Sequence, residues 1–126
     1  MLVSKYAAIL AIFYVALCVR IILLRRKFGI SVGDGDNRSL QKAICAHSNF
    51  SQYTPLVLLL IYFVEIETKS PIFIHGLCCV FVFGRMVHAF GISQVEENVR
   101  WRVLGMACTF TAILSAAKAL LLSQIF

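Results

Sequence analysis

Four apolar segments, each about 20 residues long, constrain the fold of this chain more than any motif does. They run over residues 6–24, 43–64, 71–92 and 103–125. A helix of that length crosses the roughly 30 Å hydrocarbon core of a bilayer. Because 60% of the 126 residues are hydrophobic and only 14% are charged, a soluble domain of this size could not bury the apolar surface. The sequence therefore predicts an all-α integral membrane protein, with one four-helix domain over residues 1–126 and helices over 6–24, 40–65, 71–92 and 101–125.

Basic residues are distributed unevenly between the two ends of these helices. The first and third loops and their flanks hold Arg25, Arg26, Lys27, Arg38, Lys42, Arg100 and Arg102, whereas the opposite end holds Lys5, Lys69 and Lys118. The positive-inside rule then predicts cytoplasmic first and third loops and two non-cytoplasmic termini. The net charge of +6 is thus explained by topology and by contacts with membrane lipids. No nucleic-acid binding is predicted, because the basic residues lack interleaved aromatic side chains.

The second apolar segment is polar on two sides in its first half. On a helical wheel, one set of side chains falls within about 80° and is called the basic stripe. It comprises Arg38, Lys42, Cys45, Asn49 and Gln52. His47, Ser51 and Thr54 form the opposite stripe, called the hydroxyl stripe. Cations and amides suit carboxylates, so the basic stripe favours ligand binding, with hydrogen bonding between helices as the alternative. For the hydroxyl stripe, hydrogen bonding between helices is the favoured interpretation, with ligand binding as the alternative.

The third and fourth helices add further cations to the same end of the bundle. Arg85 and His88 are three residues apart and share one face of the third helix. Arg85 either snorkels to the membrane surface or joins a cationic patch. Few acidic residues are available at this end to neutralise the cations, so an anionic small molecule between the helices would complete the charge balance. The five cysteines form no CxxC motif, and neither a disulfide framework nor a metal site is predicted.

These motifs resemble the MAPEG superfamily, the membrane-associated proteins in eicosanoid and glutathione metabolism, and in particular its small bacterial members. The stretch Ala46 to Leu56, AHSNFSQYTPL, is similar to the family signature R-A-H-x-N-x-x-E-x-x-P. RRKF at residues 25–28 and GRMVHAFG at residues 84–91 support the resemblance. Cys45 replaces the arginine of the signature, Gln52 replaces its glutamate, and His88 and Ile92 stand where other members have tyrosines.

The resemblance implies a homotrimer of left-handed four-helix bundles in a bacterial inner membrane, with glutathione held between subunits near the cytoplasmic face. Carried over by position, the glutathione site would comprise Arg25, Asn49, Gln52, Tyr53, Arg85 and His88, with Arg38 or Lys42 as a substitute for the missing arginine. Arg100 or Arg102 would act as the catalytic cation, because a positive charge beside sulfur favours the thiolate nucleophile. Lipophilic electrophiles would enter from the bilayer.

Three functions remain open on the sequence alone. The first is glutathione-dependent conjugation or reduction of lipophilic electrophiles. The second is a non-catalytic membrane protein that binds a ligand or partner on the same scaffold. The third, a small multidrug transporter, is disfavoured because such transporters use a membrane-embedded carboxylate and the first helix has none.

Overall fold

A computed structural model describes residues 1–126 as four helices joined by short connections. They are α1 (Val3–Phe28), α2 (Arg38–Thr68), α3 (Pro71–Ser93) and α4 (Val99–Ile125). Each is long and apolar enough to cross a membrane. This architecture confirms the predicted all-α, four-helix membrane fold, whereas the left-handed arrangement and the trimer stay predictions.

Two ends of the bundle are distinguished below. The loop end holds the α1–α2 connection (residues 29–37) and the α3–α4 connection (residues 94–98). The turn end holds both chain termini and the two-residue link between α2 and α3.

Local sequence determines where the helices begin and end. Gly29 ends α1 in the left-handed conformation, with φ of 66°. The Asn37 side chain accepts a hydrogen bond from the Leu40 amide at 3.0 Å and caps α2, and Asn98 caps α4 in the same way. The basic residues at positions 25–27 lie in the last turn of α1, so this helix continues beyond its apolar segment. Cations are favoured there because they face the negative end of the helix dipole and reach the membrane surface.

Helices α2 and α3 form the centre of the bundle, since each packs against all three other helices, whereas α1 and α4 do not touch. The core consists of aliphatic and aromatic side chains from every helix, including Leu10, Val57, Ile61, Phe81 and Ala112. Many large apolar side chains point outward, among them Ile12, Ile72 and Leu114. A surface of this kind is covered by lipid or by other subunits in a membrane.

Helices α3 and α4 form the most intimate contact in the molecule, and glycines permit it. A methyl group at Gly105 would lie 2.6 Å from the Gly84 carbonyl oxygen and 2.7 Å from the His88 Cβ. A methyl group at Gly91 would lie 2.6 Å from the Trp101 Cβ. Small residues at such positions let two membrane helices approach until their backbones touch. The close approach fixes the position of His88 and of the start of α4 at the loop end.

Candidate functional site

Arg85 lies at the centre of the candidate site, in the loop half of the bundle. Its side chain is only 1% exposed. The guanidinium donates hydrogen bonds to the side-chain and backbone oxygens of Asn49 on α2 and, at 2.6 Å, to the Thr109 hydroxyl on α4. A weaker contact of 3.3 Å reaches the Met106 sulfur. Arg85 therefore joins three helices, and the snorkelling interpretation of this residue is wrong.

The buried guanidinium has no carboxylate partner. The only ion pair in the chain joins Arg102 to Glu97 at 2.6 Å. Arg85 instead lies 5.3 Å from the ring centroid of Tyr53 and 5.9 Å from that of Phe81, and its Nε is buried without a hydrogen-bond partner. A buried cation is normally paired with an anion. The site thus holds an uncompensated positive charge and one free donor.

A cleft of about 530 Å³ adjoins this centre, between α2, α3 and the first half of α4. Its polar lining consists of Asn49, His88 and Arg102. The rest of the lining is largely apolar and includes Val103 and Phe110. Ligand pockets typically measure about 300–1,000 Å³ and combine an apolar wall with a few convergent polar groups. The cleft fits that description for an anionic ligand, because its polar groups are an amide, an imidazole and a guanidinium.

The structure thus brings together five of the nine predicted site residues, three by direct contact and two through the shared cleft. Asn49 and Tyr53 contact Arg85, while His88 and Arg102 line the same cleft as Asn49. The remaining four are Arg25, Arg38, Gln52 and Arg100.

Those four residues lie outside the cleft within one chain. Arg25 closes the first loop by donating to the carbonyl oxygens of Ile30 at 3.4 Å and Gly33 at 2.7 Å. Arg38, Gln52 and Arg100 are exposed. Of the two candidate catalytic cations, the cleft is lined by Arg102 and not by Arg100.

The hydroxyl stripe faces α1, but it does not form the favoured hydrogen bonds between helices. Ser51 donates to the His47 and Ser48 carbonyl oxygens of its own helix, at 3.0 and 3.1 Å. His47 instead packs its ring against Tyr14 of α1, with centroids 5.1 Å apart. The Thr54 hydroxyl is buried without a partner. Ser51 and Thr54 line a largely apolar cavity of about 450 Å³ between α1 and α2.

Several residues of this region were not singled out by the sequence. Thr109 and Met106 hold Arg85, although nothing distinguishes them from other residues of an apolar helix. Arg20 on α1 donates to the Ser93 hydroxyl on α3 at 2.6 Å and ties the two helices together. Arg20 could have been singled out from the sequence, because it is a charged residue inside an apolar segment. Lys42 of the basic stripe caps the end of α3 through the carbonyl oxygens of Gln94 and Val95.

Comparisons with known proteins agree with the helix-two motif. The model of the MAPEG family matches residues 3–122. The inner membrane protein YecN of Escherichia coli strain K12 is 30% identical over 114 residues, which cover 90% of this chain and 86% of that protein. The YecN protein of Escherichia coli O6:H1 is similar to the same extent. No solved structure matches the chain significantly. The chain is therefore a membrane protein that belongs to the MAPEG family.

Proposed function

We propose that this protein is a homotrimer of left-handed bundles that binds glutathione between subunits at the loop end and uses it to conjugate or reduce lipophilic electrophiles. The observation that carries the proposal is the buried Arg85 guanidinium, which has no carboxylate partner and lies next to a cleft containing His88 and Arg102. An ionisable group inside a membrane bundle is costly and is generally kept for a functional reason.

The donor set of the cleft fits glutathione, which has two carboxylates, one ammonium group and one thiol. Arg85 and Arg102 would attract the carboxylates, and the amide of Asn49 would hydrogen-bond the peptide. Asn49 already accepts from Arg85, so its side chain is held in place before the ligand arrives. Glutathione would supply the nucleophilic sulfur.

The chain's own residues would position that sulfur and exclude water. Arg102 lines the cleft, and its charge would favour the ionised form of a thiol that replaces the Glu97 carboxylate as its partner. Phe110 and Val103 provide the apolar wall, along which a lipophilic electrophile could be held next to the thiol. Positioning two reactants in this way converts a bimolecular encounter into an effectively unimolecular step.

A trimer would explain why some of the predicted residues lie outside the cleft. Gln52 and Cys45 of the basic stripe are exposed in one chain, although they lie on a segment that would be buried in a membrane. An exposed polar side chain in hydrocarbon is unfavourable. Contact with a neighbouring subunit would cover these residues. It would also bring the first loop, with Arg25, near the cleft of that neighbour.

The direction of insertion follows from the basic residues at the loop end. We propose that this end faces the cytoplasm of a bacterium and that both termini lie on the other side of its inner membrane. Both YecN relatives are inner membrane proteins, which supports this assignment.

A second candidate function is non-catalytic binding of a ligand or partner on the same scaffold. Cys45 and Gln52 favour this alternative, because they replace the arginine and glutamate of the family signature. The two replacements leave the net charge unchanged but remove the paired guanidinium and carboxylate geometry.

Calorimetry with reduced glutathione tests the proposal on purified protein in detergent or lipid nanodiscs. We expect saturable binding, and we expect Asn49→Ala to weaken it by about 1–3 kcal/mol because the substitution leaves buried donors unpaired. Arg102→Gln should also weaken binding. Lys118→Gln is the matched control, since it removes one cation from the same helix near the turn end.

Restoring the family residues sharpens the test. The double variant Cys45→Arg with Gln52→Glu should bind glutathione more tightly than the natural sequence. If neither protein binds at millimolar glutathione, the glutathione proposal is wrong. Binding without turnover of 1-chloro-2,4-dinitrobenzene, a lipophilic aryl halide, would favour the non-catalytic alternative.

A further inference from the structure

A second group of reactive side chains lies near the turn end, far along the helices from the cleft. The phenol oxygen of Tyr6 on α1 is 2.7 Å from the Nδ1 of His75 on α3 and 3.6 Å from the Sγ of Cys79. His75 and Cys79 are four residues apart and therefore share one face of α3. The Tyr6 and His75 rings also make an edge contact, with centroids 5.7 Å apart. We call these three residues the Tyr–His–Cys cluster.

The donors and acceptors of the three side chains determine the direction in which a proton can move through the cluster. Tyr6 has one hydroxyl proton to donate, and a neutral imidazole nitrogen can accept it. The phenol oxygen can then accept from the Cys79 S–H group. The resulting chain runs from the thiol through the phenol to the imidazole. Such a chain is the arrangement by which a base takes the proton of a nucleophile.

Cys79 differs from the other four cysteines in its surroundings. Cys78 is buried, and Cys18 and Cys108 are half-buried. Cys45 is exposed like Cys79, but it makes no side-chain hydrogen bond, whereas Cys79 contacts Tyr6. Access and a neighbouring base together distinguish reactive cysteines from structural ones. Because the proposed trimer would cover Cys45, its labelling rate is an internal standard for folding and assembly and not a reference for the reactivity of Cys79.

The depth and setting of Cys79 indicate what kind of molecule would reach it. Cys79 lies eight residues after the start of α3 at Pro71, which corresponds to about 12 Å along the helix axis. On the same face of α3, Ile72 is 87% exposed on one side of Cys79 and Phe83 is 53% exposed on the other. We infer that this exposed apolar strip faces the acyl chains and not a neighbouring subunit, because the polar side chains that need cover from a subunit lie on α2. A lipophilic molecule dissolved in the bilayer would meet the thiol along this strip.

We propose that Cys79 is a nucleophile that adds to lipophilic α,β-unsaturated carbonyl compounds from the bilayer. The sulfur forms a bond to the β-carbon, and the π electrons of the carbon–carbon double bond move to the α-carbon. The thiol proton passes through Tyr6 to His75 and then to the α-carbon, so the thioether product contains every atom of both reactants. The step needs no oxidant, metal or glutathione, and it is independent of the function proposed for the cleft.

The test uses the full-length protein in lipid nanodiscs without glutathione. N-phenylmaleimide, a lipophilic α,β-unsaturated imide, is added, and peptide mass spectrometry follows the labelling of each cysteine over time. We expect Cys79 to react about tenfold faster in the natural sequence than in the Tyr6→Phe variant, a modest fraction of what a well-positioned base can supply. Equal Cys79 rates in the two proteins overturn the proposal.

Variants of the Tyr–His–Cys cluster distinguish a loss of proton transfer from a loss of folding. Tyr6→Phe keeps the ring but removes the hydroxyl, so the Cys79 rate should fall about tenfold while the Cys45 rate stays constant. His75→Ala should have the same effect, and imidazole added to the buffer should restore the rate, which it would not do for a merely structural histidine. If Cys79 is labelled as fast in both variants as in the natural sequence, proton transfer through Tyr6 to His75 is refuted. An unchanged Cys45 rate and elution volume show that each variant is folded.

Discussion

Replacing Gly105 with alanine tests the helix contact that shapes the cleft. The added methyl group would lie 2.6 Å from the Gly84 carbonyl oxygen and 2.8 Å from the His88 amide nitrogen. These are backbone atoms, which cannot rotate away as a side chain could. To restore a contact of 3.4 Å, α3 and α4 would have to separate locally by about 0.8 Å, a change that a close-packed interior resists.

The expected magnitude follows from two opposing effects. Overpacking of a tight contact costs about 1–3 kcal/mol, and the upper part of that range applies because the clash involves backbone on both helices. Alanine recovers up to about 1 kcal/mol through its higher helix propensity. We therefore expect Gly105→Ala to lower the free energy of unfolding by about 1–2 kcal/mol.

Gly76 provides the matched control within the same protein. It also lies inside a helix, on α3, but a methyl group there meets no atom within 4 Å. Gly76→Ala should therefore be neutral or stabilising by up to about 1 kcal/mol.

Unfolding by sodium dodecyl sulfate in mixed micelles, followed by Trp101 fluorescence and by circular dichroism, measures the two variants under identical conditions. The expected difference between the two variants is about 2–3 kcal/mol. Equal stability of the two alanine variants would refute the close α3–α4 contact, and with it the geometry of the cleft beside His88.

Three further expectations concern topology, assembly and the hydroxyl stripe. A reporter fused after Phe126 should be active on the non-cytoplasmic side, and a cysteine introduced at Gly35 should be labelled from the cytoplasm; a cytoplasmic C-terminus would contradict the positive-inside assignment. Crosslinking in mild detergent should yield a trimer, because the exposed basic stripe needs cover in hydrocarbon, whereas a stable folded monomer would count against this. His47→Ala should change glutathione affinity little but should weaken the packing of α2 on Tyr14, by about 0.5–1.5 kcal/mol in thermal or detergent unfolding; a large loss of affinity would instead place His47 in the binding site.

Much of the fold could be predicted from the sequence because hydropathy is a local, additive property. Apolar runs of sufficient length predict helices without reference to their partners, and the predicted start of the third helix at residue 71 agrees with α3, which begins at Pro71. The extension of α1 to Phe28 was missed, because a hydropathy boundary at Leu24 records where the apolar run ends and not where helical backbone ends.

The candidate site could be predicted only in part. The motif around Asn49 and the pair Arg85 and His88 were identifiable from spacing, since residues three or four apart share a helix face. The role of Arg25 could not be read in this way. Its guanidinium is already engaged by the carbonyl oxygens of the first loop, and loop conformation depends on the backbone and not on residue type alone.

The sequence by itself determined the class of fold, the number of helices, the basic end and the family. Only the tertiary structure decided that Arg85 is buried against Asn49 and Thr109 instead of reaching the surface, and that Tyr6 meets His75 and Cys79 across two helices. The physical reason is that these contacts depend on the rotation and register of one helix against another. Those quantities are set by close packing between helices, at positions such as Gly84 and Gly105, which no single segment of sequence specifies.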